Sequence, residues 1–291
     1  MVKNLIFDMG GVVFDLGYEQ AVRRFEEIGV RDARAQLDPC IQSGIFGDLE
    51  GGRISCEEFR QGLSAHVGRD LTAEECAYAW KGYILDLPQR NLDKLLELRS
   101  RGYRLFLLSN TNPFITQWAH SPQFSLAATP AGLAALAAVS PATAPAALAD
   151  VSPAASSSDG LADVSPATAP AVLADVSPAI APAALAVVSP AASSSNGLAD
   201  VSPAASSSNG LLPGWPMDRY FEKLYFSCDL KMMKPDPAIF RHVLDAEGLD
   251  PAETLFIDDS PRNTEAAARL GIRTMCPRNN ADWTADIENY L

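Results

Sequence analysis

Short runs of apolar residues, each closed by polar residues or glycine, recur in the first and last thirds of the chain. A run of four to six such residues is typical of a buried strand in a parallel sheet. Between the runs the apolar residues recur every three or four positions, as they do in helices. Strands alternating with helices predict an α/β fold with a doubly wound parallel sheet. The predicted strands are residues 4–7, 104–108, 223–226, 254–257 and 272–275.

Residues 17–85 interrupt this alternation, because their patterns are helical throughout. The sequences that begin at Ser55 and Thr72 each have the order of a capping box, Ser or Thr followed three residues later by Glu, which predicts two helix starts. The glycine-containing residues 44–52 are predicted as a loop between helices. We interpret residues 17–85 as a helical cap inserted after the first strand.

Residues 125–214 differ in composition from the rest of the chain. They contain no Lys, Arg or aromatic residue, and Val-Ser-Pro recurs in them every 12 or 13 residues. A solenoid is one interpretation. However, Pro in every unit withholds a backbone donor, and Ala and Ser bury little apolar area. We therefore predict a flexible low-complexity insertion, which leaves residues 1–16, 86–124 and 215–291 as the α/β core.

The composition and net charge limit the kinds of molecule that the protein is expected to bind. A net charge of −13 and a pI near 4.6 argue against nucleic acid or an anionic membrane. No apolar stretch reaches the roughly 18 residues of a membrane span, and no secretory signal is visible. Five widely spaced cysteines without a Cys-x-x-Cys pair suit reduced thiols. These features predict a cytoplasmic protein with a small-molecule substrate, as a monomer or homodimer.

Polar residues stand where the predicted strands end. Parallel strands place their carboxyl ends at one edge of a sheet, where ligands bind. Carboxylates from separate strands repel each other unless a divalent cation lies between them, and oxygen ligands suit Mg²⁺. A hydroxyl, an amide and an ammonium are donors that a phosphoryl group needs. The residues that meet these needs are Asp8, Ser109, Asn110, Lys234, Asp258 and Asp259.

These residues lie in four motifs that resemble those of the haloacid dehalogenase (HAD) superfamily: FDMGGV from Phe7, LLSN from Leu107, Lys234-Pro235, and IDD from Ile257 followed by Asn263. More closely, the chain is similar to the bacterial α-D-glucose-1-phosphate phosphatase group, in the segments FDMGGVVFD, LEGGRISCEEF, LLSNTNPF, YFSCDLKMMKPDPAIFRHVLDAEG and FIDDSPRN. The resemblance covers residues 1–124 and about 215–291, and the repeat block lies outside it.

The resemblance implies a Mg²⁺-dependent phosphatase with a Rossmann-like core. Asp8 would attack phosphorus to form an aspartyl-phosphate, which water then hydrolyses. Lys234 would orient Asp8 and offset charge, while Ser109 and Asn110 would bind the phosphoryl group. The implied metal ligands are Asp8, the carbonyl of Gly10, and Asp259, with Asp258 and Asn263 as supporting groups. The implied substrate is a sugar phosphate such as glucose 1-phosphate.

One position departs from most phosphatases of the superfamily. They carry an Asp two residues after the nucleophile as general acid and base, and this chain has Gly10 there. Proton transfer to the leaving group is typically worth about 10²–10⁴-fold in rate. Asp15 is our hypothesis for a substitute, and a turn or cap residue is the alternative interpretation. Candidate specificity residues in the cap are Phe46, Glu50, Trp80 and Tyr83.

Two other functions fit the same motifs. A dehalogenase would use Asp8 to attack carbon without a metal, although the second acidic motif speaks against it. A catalytically impaired binding protein of the same fold would account for Gly10 and for the insertion.

Overall fold

The computed structural model describes residues 1–38, 42–128 and 214–291, and a five-stranded parallel sheet lies at its centre. The strand order is β5-β4-β1-β6-β7, with every neighbouring pair parallel. The predicted α/β fold with a parallel sheet is confirmed. In chain order the strands are β1 (Asn4–Phe7), β2 (Asp15–Leu16), β3 (Ile84–Asp86), β4 (Arg104–Ser109), β5 (Lys223–Phe226), β6 (Thr254–Ile257) and β7 (Arg273–Met275).

Successive side chains of β1 enter two different hydrophobic clusters. Leu5 and Phe7 belong to one cluster and Ile6 to the other, because alternate residues of a strand face opposite sides of the sheet. Helices therefore cover both faces of the sheet. The helices outside residues 17–85 are Gln89–Ser100, Pro113–Ala119, Gln123–Leu126, Ser227–Leu230, Pro237–Glu247 and Pro261–Ala268.

The order of the strands determines where a ligand can bind. From β1 the chain proceeds to β4 and β5 on one side of the sheet, while β6 and β7 lie on the other side. Ligands of open α/β sheets bind at the carboxyl ends of strands where this direction reverses. The crevice between the ends of β1 and β6 is that place.

Residues 17–85 are helical, as predicted, with helices Tyr18–Glu27, Ala33–Gln36, Gly44–Glu50, Cys56–Val67 and Ala73–Trp80. Both capping boxes are present, with the Ser55 and Thr72 side chains each accepting a backbone N–H three residues on. The prediction of a loop at 44–52 was wrong. Gly44–Glu50 is a helix, because the burial of Phe46 and Leu49 in the cap outweighs the poor helix propensity of glycine.

A small antiparallel sheet of β2 and β3 joins the cap to the core. Neither strand was predicted, since two or three residues carry no readable alternation. Asn280 holds β2 in place: its side-chain oxygen accepts from Leu16 N at 2.7 Å, and its side-chain nitrogen donates to Leu16 O at 3.1 Å.

The two ends of the repeat block meet at the surface of the core. Ser125 N donates to Trp215 O at 3.2 Å, and Trp215 N donates to the Ser125 hydroxyl at 2.6 Å. The predictions for the repeat itself, flexible insertion or solenoid, concern residues 129–213 and lie outside the described residues. Within the described ranges, no helix is long and apolar enough to span a membrane.

Candidate active site

Lys234 lies at the centre of the site. Its side chain is 1% exposed, and its ammonium nitrogen lies 2.8 Å from Asp8 Oδ1 and 2.7 Å from Asp258 Oδ2. The same nitrogen donates to the carbonyl oxygen of Leu108 at 2.8 Å. Burial alone lowers the pKa of an amine, but the two carboxylates outweigh it and keep the pKa of Lys234 raised. Lys234 is therefore a fixed positive charge with all three hydrogens engaged.

Three carboxylates gather around this charge, with ligand atoms of Asp8, Asp258 and Asp259 within 4.8 Å of one another. Burial, and then the neighbouring acids, raise the pKa of Asp8 to about 7 against the pull of Lys234. Burial and the charge of Asp258 raise the pKa of Asp259 to about 6. A second cation beside Lys234 would relieve this crowding of like charges.

Asp258 supports the cluster through its hydrogen bonds. It is fully buried, and it accepts hydrogen bonds from Ser260 N at 2.8 Å and from Asn263 Nδ2 at 3.0 Å in addition to Lys234. A buried carboxylate that accepts this many hydrogen bonds holds its donors in position.

The absence of a side chain at Gly11 leaves space for the carboxylate of Asp259. A Cβ at Gly11 would lie 2.5 Å from Asp259 Oδ2, and Gly11 has φ +75°. A side chain there would both strain the backbone and displace the carboxylate. The second glycine of the first motif is thus a steric requirement of the site.

Ser109 and Asn110 end β4 at the same edge. Ser109 is buried and lines the same cavity as Asp8. The Asn110 amide also borders the cavity, but both its polar atoms bond to the main chain of Lys234, accepting from Lys234 N and donating to Lys234 O at 2.8 Å each. The side chain predicted to bind phosphate therefore holds the Lys234 loop.

A cavity of about 100 Å³ lies between this edge and the cap. Its core side carries Asp8, Ser109, Lys234 and Asp259 together. Its cap side carries both polar and aromatic side chains, those of Gln42, Glu50, Trp80 and Tyr83. The Tyr83 hydroxyl donates to Asp38 O at 3.2 Å and accepts from Gln42 Nε2 at 3.0 Å.

Two predicted residues do not reach the cavity. Asp15 sits in β2 opposite Asp86, while its neighbours Phe14 and Leu16 face the cavity, as alternation along a strand requires. The hypothesis that Asp15 replaces the missing acid is therefore not supported by its position. Phe46 packs among the rings of Phe25, Phe59 and Trp80 inside the cap instead.

Some residues that build the site were not found from the sequence. The Ser227 hydroxyl is fully buried, donates to the carbonyl oxygen of Glu50 at 2.6 Å and accepts from Thr111 N at 2.9 Å. It thus connects the cap helix Gly44–Glu50 to the loop after β4. A lone Ser after a strand is too common to be singled out, and its partners are distant in sequence.

Comparison with known proteins agrees with this geometry. A family model of haloacid dehalogenase-like hydrolases matches residues 203–276. Over 291 residues the chain is 31% identical to the D-ribitol-5-phosphate phosphatase of Bacteroides thetaiotaomicron, a match that covers 100% of this chain and 99% of that protein.

Two solved structures are similar along nearly their whole length. A HAD-like family hydrolase from Porphyromonas gingivalis is 31% identical with a TM-score of 0.66, covering 100% of this chain and 98% of that one. A HAD family enzyme of Bacteroides thetaiotaomicron, in complex with magnesium and inorganic phosphate, is 27% identical with a TM-score of 0.63, covering 98% of both chains. Because 31% identity is sustained along the full length of two such proteins, this chain belongs to the haloacid dehalogenase-like hydrolase superfamily.

Proposed function

We propose that this protein is a Mg²⁺-dependent phosphatase that hydrolyses a small phosphate monoester through an aspartyl-phosphate on Asp8. The observation that carries the proposal is the cluster of Asp8, Asp258 and Asp259 around Lys234, at the base of a cavity that Ser109 also lines. Proteins catalyse phosphoryl transfer mainly by positioning the reactants and by stabilising the charge with hydrogen-bond donors and cations.

The contacts of Asp8 select the attacking atom. Its Oδ1 accepts from Met9 N at 2.7 Å and from Lys234 at 2.8 Å. Oδ2 is therefore the oxygen that forms the bond to phosphorus, while the leaving alcohol departs on the opposite side. Lys234 and the Ser109 hydroxyl offset the charge on the phosphoryl oxygens, and Asn110 keeps Lys234 in position.

The residues present fit a magnesium ion. Asp8 and Asp259 are neighbouring carboxylates with raised pKa values. The absence of a side chain at Gly11 leaves space for the Asp259 carboxylate. Asp8, Asp259 and the carbonyl oxygen of Gly10 would hold the ion, with Asp258 and Asn263 supporting them. When bound, the ion supplies positive charge to the phosphate and lowers the proton affinity of both carboxylates.

The cap side of the cavity favours a sugar or sugar-alcohol phosphate as substrate. Trp80 and Tyr83 contribute aromatic side chains to the lining and Gln42 and Glu50 contribute polar ones, a combination that suits a polyol carbon chain. We propose residues 17–85 as the cap that closes over this substrate, on a core of residues 1–16, 86–124 and 215–291. Glucose 1-phosphate and D-ribitol 5-phosphate, the ester in the name of the B. thetaiotaomicron relative, are the first candidates.

A phosphate-release screen tests the proposal. The full-length protein is assayed with Mg²⁺ on p-nitrophenyl phosphate, glucose 1-phosphate, glucose 6-phosphate and D-ribitol 5-phosphate. We expect turnover that EDTA abolishes and Mg²⁺ restores. Turnover of a 2-haloacid that persists in EDTA would instead support the dehalogenase, and no turnover of any ester would support the impaired binding protein.

A further inference from the structure

Gly10 has no side chain, so the first motif supplies no proton donor for the leaving group. A Cβ at Gly10 would meet the end of the Leu16 side chain, with Cδ2 at 2.8 Å. β2 thus packs an apolar side chain where most relatives in the superfamily would have their acid. A donor has to reach the cavity from another direction.

The titratable side chains that line the cavity, within the described ranges, are Asp8, Glu50, Tyr83, Lys234 and Asp259. Asp8 is the nucleophile, and Lys234 and Asp259 belong to the charge cluster beside it. Burial raises the pKa of Tyr83 further above neutrality, and its hydroxyl is already paired. Glu50 is the group that remains.

Glu50 is positioned from the cap side. It is the last residue of the helix Gly44–Glu50 and is 8% exposed. Its carbonyl oxygen is held by Ser227 on the core at 2.6 Å, and the next turn packs so tightly that a Cβ at Gly52 would lie 2.1 Å from Cys228 O. The backbone at Glu50 is therefore fixed against the core.

The carboxyl group of Glu50 belongs to a buried residue. It has no hydrogen-bond or ion-pair partner in residues 1–38, 42–128 and 214–291. A buried carboxyl group without a partner is costly, so its retention points to a role toward a ligand.

We propose that Glu50 is the general acid and base of this phosphatase, in place of the residue missing at Gly10. The inference rests on the proposed function. In the first step the Asp8 oxygen bonds to phosphorus, the ester P–O bond breaks, and the Glu50 proton goes to the departing alkoxide. In the second step water attacks the aspartyl-phosphate, its proton returns to the Glu50 carboxylate, and phosphate and free Asp8 are released.

The protonation state of Glu50 agrees with this order of events. Burial, and then the charge of Asp8, raise its pKa to about 8. The described titratable groups that face it are Asp8 from the core and Tyr83 from the cap. Glu50 therefore enters the cycle as a neutral acid at neutral pH, the form that donates a proton.

The test is a comparison of leaving groups in Glu50→Gln. An alkyl ester, the sugar phosphate turned over fastest in the screen above, needs a proton on its leaving oxygen, whereas p-nitrophenolate departs without one. We expect kcat/KM for the alkyl ester to fall by about 10²–10⁴-fold. The first turnover of p-nitrophenyl phosphate should change by less than about threefold and appear as a burst, because hydrolysis of the aspartyl-phosphate slows without the base.

Two variants serve as controls. Glu50→Asp keeps a carboxyl group and should recover part of the alkyl-ester rate and abolish the burst. Asp48→Asn, which removes an acid paired with Arg53 on the same helix, should match the wild type on both esters. Circular dichroism confirms that each variant is folded.

The outcomes separate this inference from the proposed function. Equal losses on both esters, or a rise in KM alone, would overturn the role of Glu50 and leave a substrate-binding residue. A wild-type protein that turns over neither ester would instead overturn the proposed function itself.

Discussion

The two walls of the cavity are built on different principles. On the core wall each charged group is paired: Lys234 touches two carboxylates and a carbonyl, and Asp258 has three kinds of donor. On the cap wall the carboxyl group of Glu50 lines the cavity and has no hydrogen-bond or ion-pair partner among the described residues. The core wall is organised for a fixed phosphoryl group, while the cap wall keeps polar atoms free for the rest of the substrate.

This difference has an energetic consequence. Removing one member of a paired buried cluster leaves its partners uncompensated, which destabilises the fold. Removing a group that the fold has left unpaired lets the folded state gain stability at the expense of function. Substitutions on the two walls should therefore shift stability in opposite directions.

The largest effect is expected from Asp8→Asn. Loss of the nucleophile should lower kcat by about 10⁴–10⁶-fold on every ester, while Asp15→Asn should stay within about twofold of the wild type, because Asp15 lies outside the cavity. Phosphate release under saturating Mg²⁺ measures both. A large loss in Asp15→Asn would restore Asp15 as a candidate acid.

Next in size is Lys234→Met. Without the ammonium, Asp8 and Asp258 face each other with no counter-charge, and the free energy of unfolding should fall by about 3 kcal/mol at pH 7. Urea denaturation measures it. Lys3→Met, which removes an exposed pair with Glu253, should cost less than about 1 kcal/mol. Equal losses in the two variants would contradict a paired core wall.

Gly52→Ala tests how the cap is seated on the core. Gly52 has φ +62°, and its Cβ would lie 2.1 Å from Cys228 O. Gly68 has φ +81° with nothing within 4 Å, so Gly68→Ala reports the backbone strain alone. We expect Gly52→Ala to cost about 2 kcal/mol more than this control and to slow alkyl-ester turnover by about tenfold. Similar values for both variants would show that the contact is easily relaxed.

Glu50→Gln should stabilise the metal-free protein at high pH. The pKa of Glu50 is raised from 4.5 to about 8 in the folded state, so its contribution to stability is fully present below pH 4.5 and is lost as the pH rises through 8. Gln carries no such penalty. At pH 8 the variant should be more stable, by no more than the roughly 4 kcal/mol that this pKa shift allows, and near pH 4 the difference should vanish, as measured by thermal unfolding in EDTA. A destabilised variant at pH 8 would mean that Glu50 is paired after all.

The smallest effect is expected from the insertion. Because Ser125 and Trp215 are joined by two hydrogen bonds, a short Gly-Ser linker between residues 128 and 214 should preserve the core. We expect phosphate release within about twofold of the wild type. A large fall in rate would place part of the repeat in the catalytic cycle.

The core wall was largely predictable and the cap wall was not. Asp8 follows β1 directly, Ser109 is the last residue of β4, and Asp259 is the second residue after β6. Parallel strands bring these ends together whatever the rest of the fold does. The sequence does not report what else such a side chain holds: Asn110 borders the cavity and also binds the main chain of Lys234 through both polar atoms of its amide.

On the cap wall the outcome depends on packing between distant segments. The helix Gly44–Glu50 contradicts local propensity, because glycine predicts a loop and the aromatic cap interior imposes a helix. Asp15 was misplaced because its direction is set by Asn280, which lies more than 260 residues away and pairs with β2. No spacing rule within the sequence reports such a contact.

The Ser227 hydroxyl has a consequence for product release. Besides the Glu50 carbonyl at 2.6 Å, a second acceptor, Thr111 O, lies 3.2 Å away on the core. If the cap opens as proposed, the Ser227 hydroxyl can donate to Thr111 O instead, so loss of its bond to Glu50 costs only about 1 kcal/mol. This hydrogen bond would hold Glu50 in place during one turnover and still be weak enough to break when phosphate leaves.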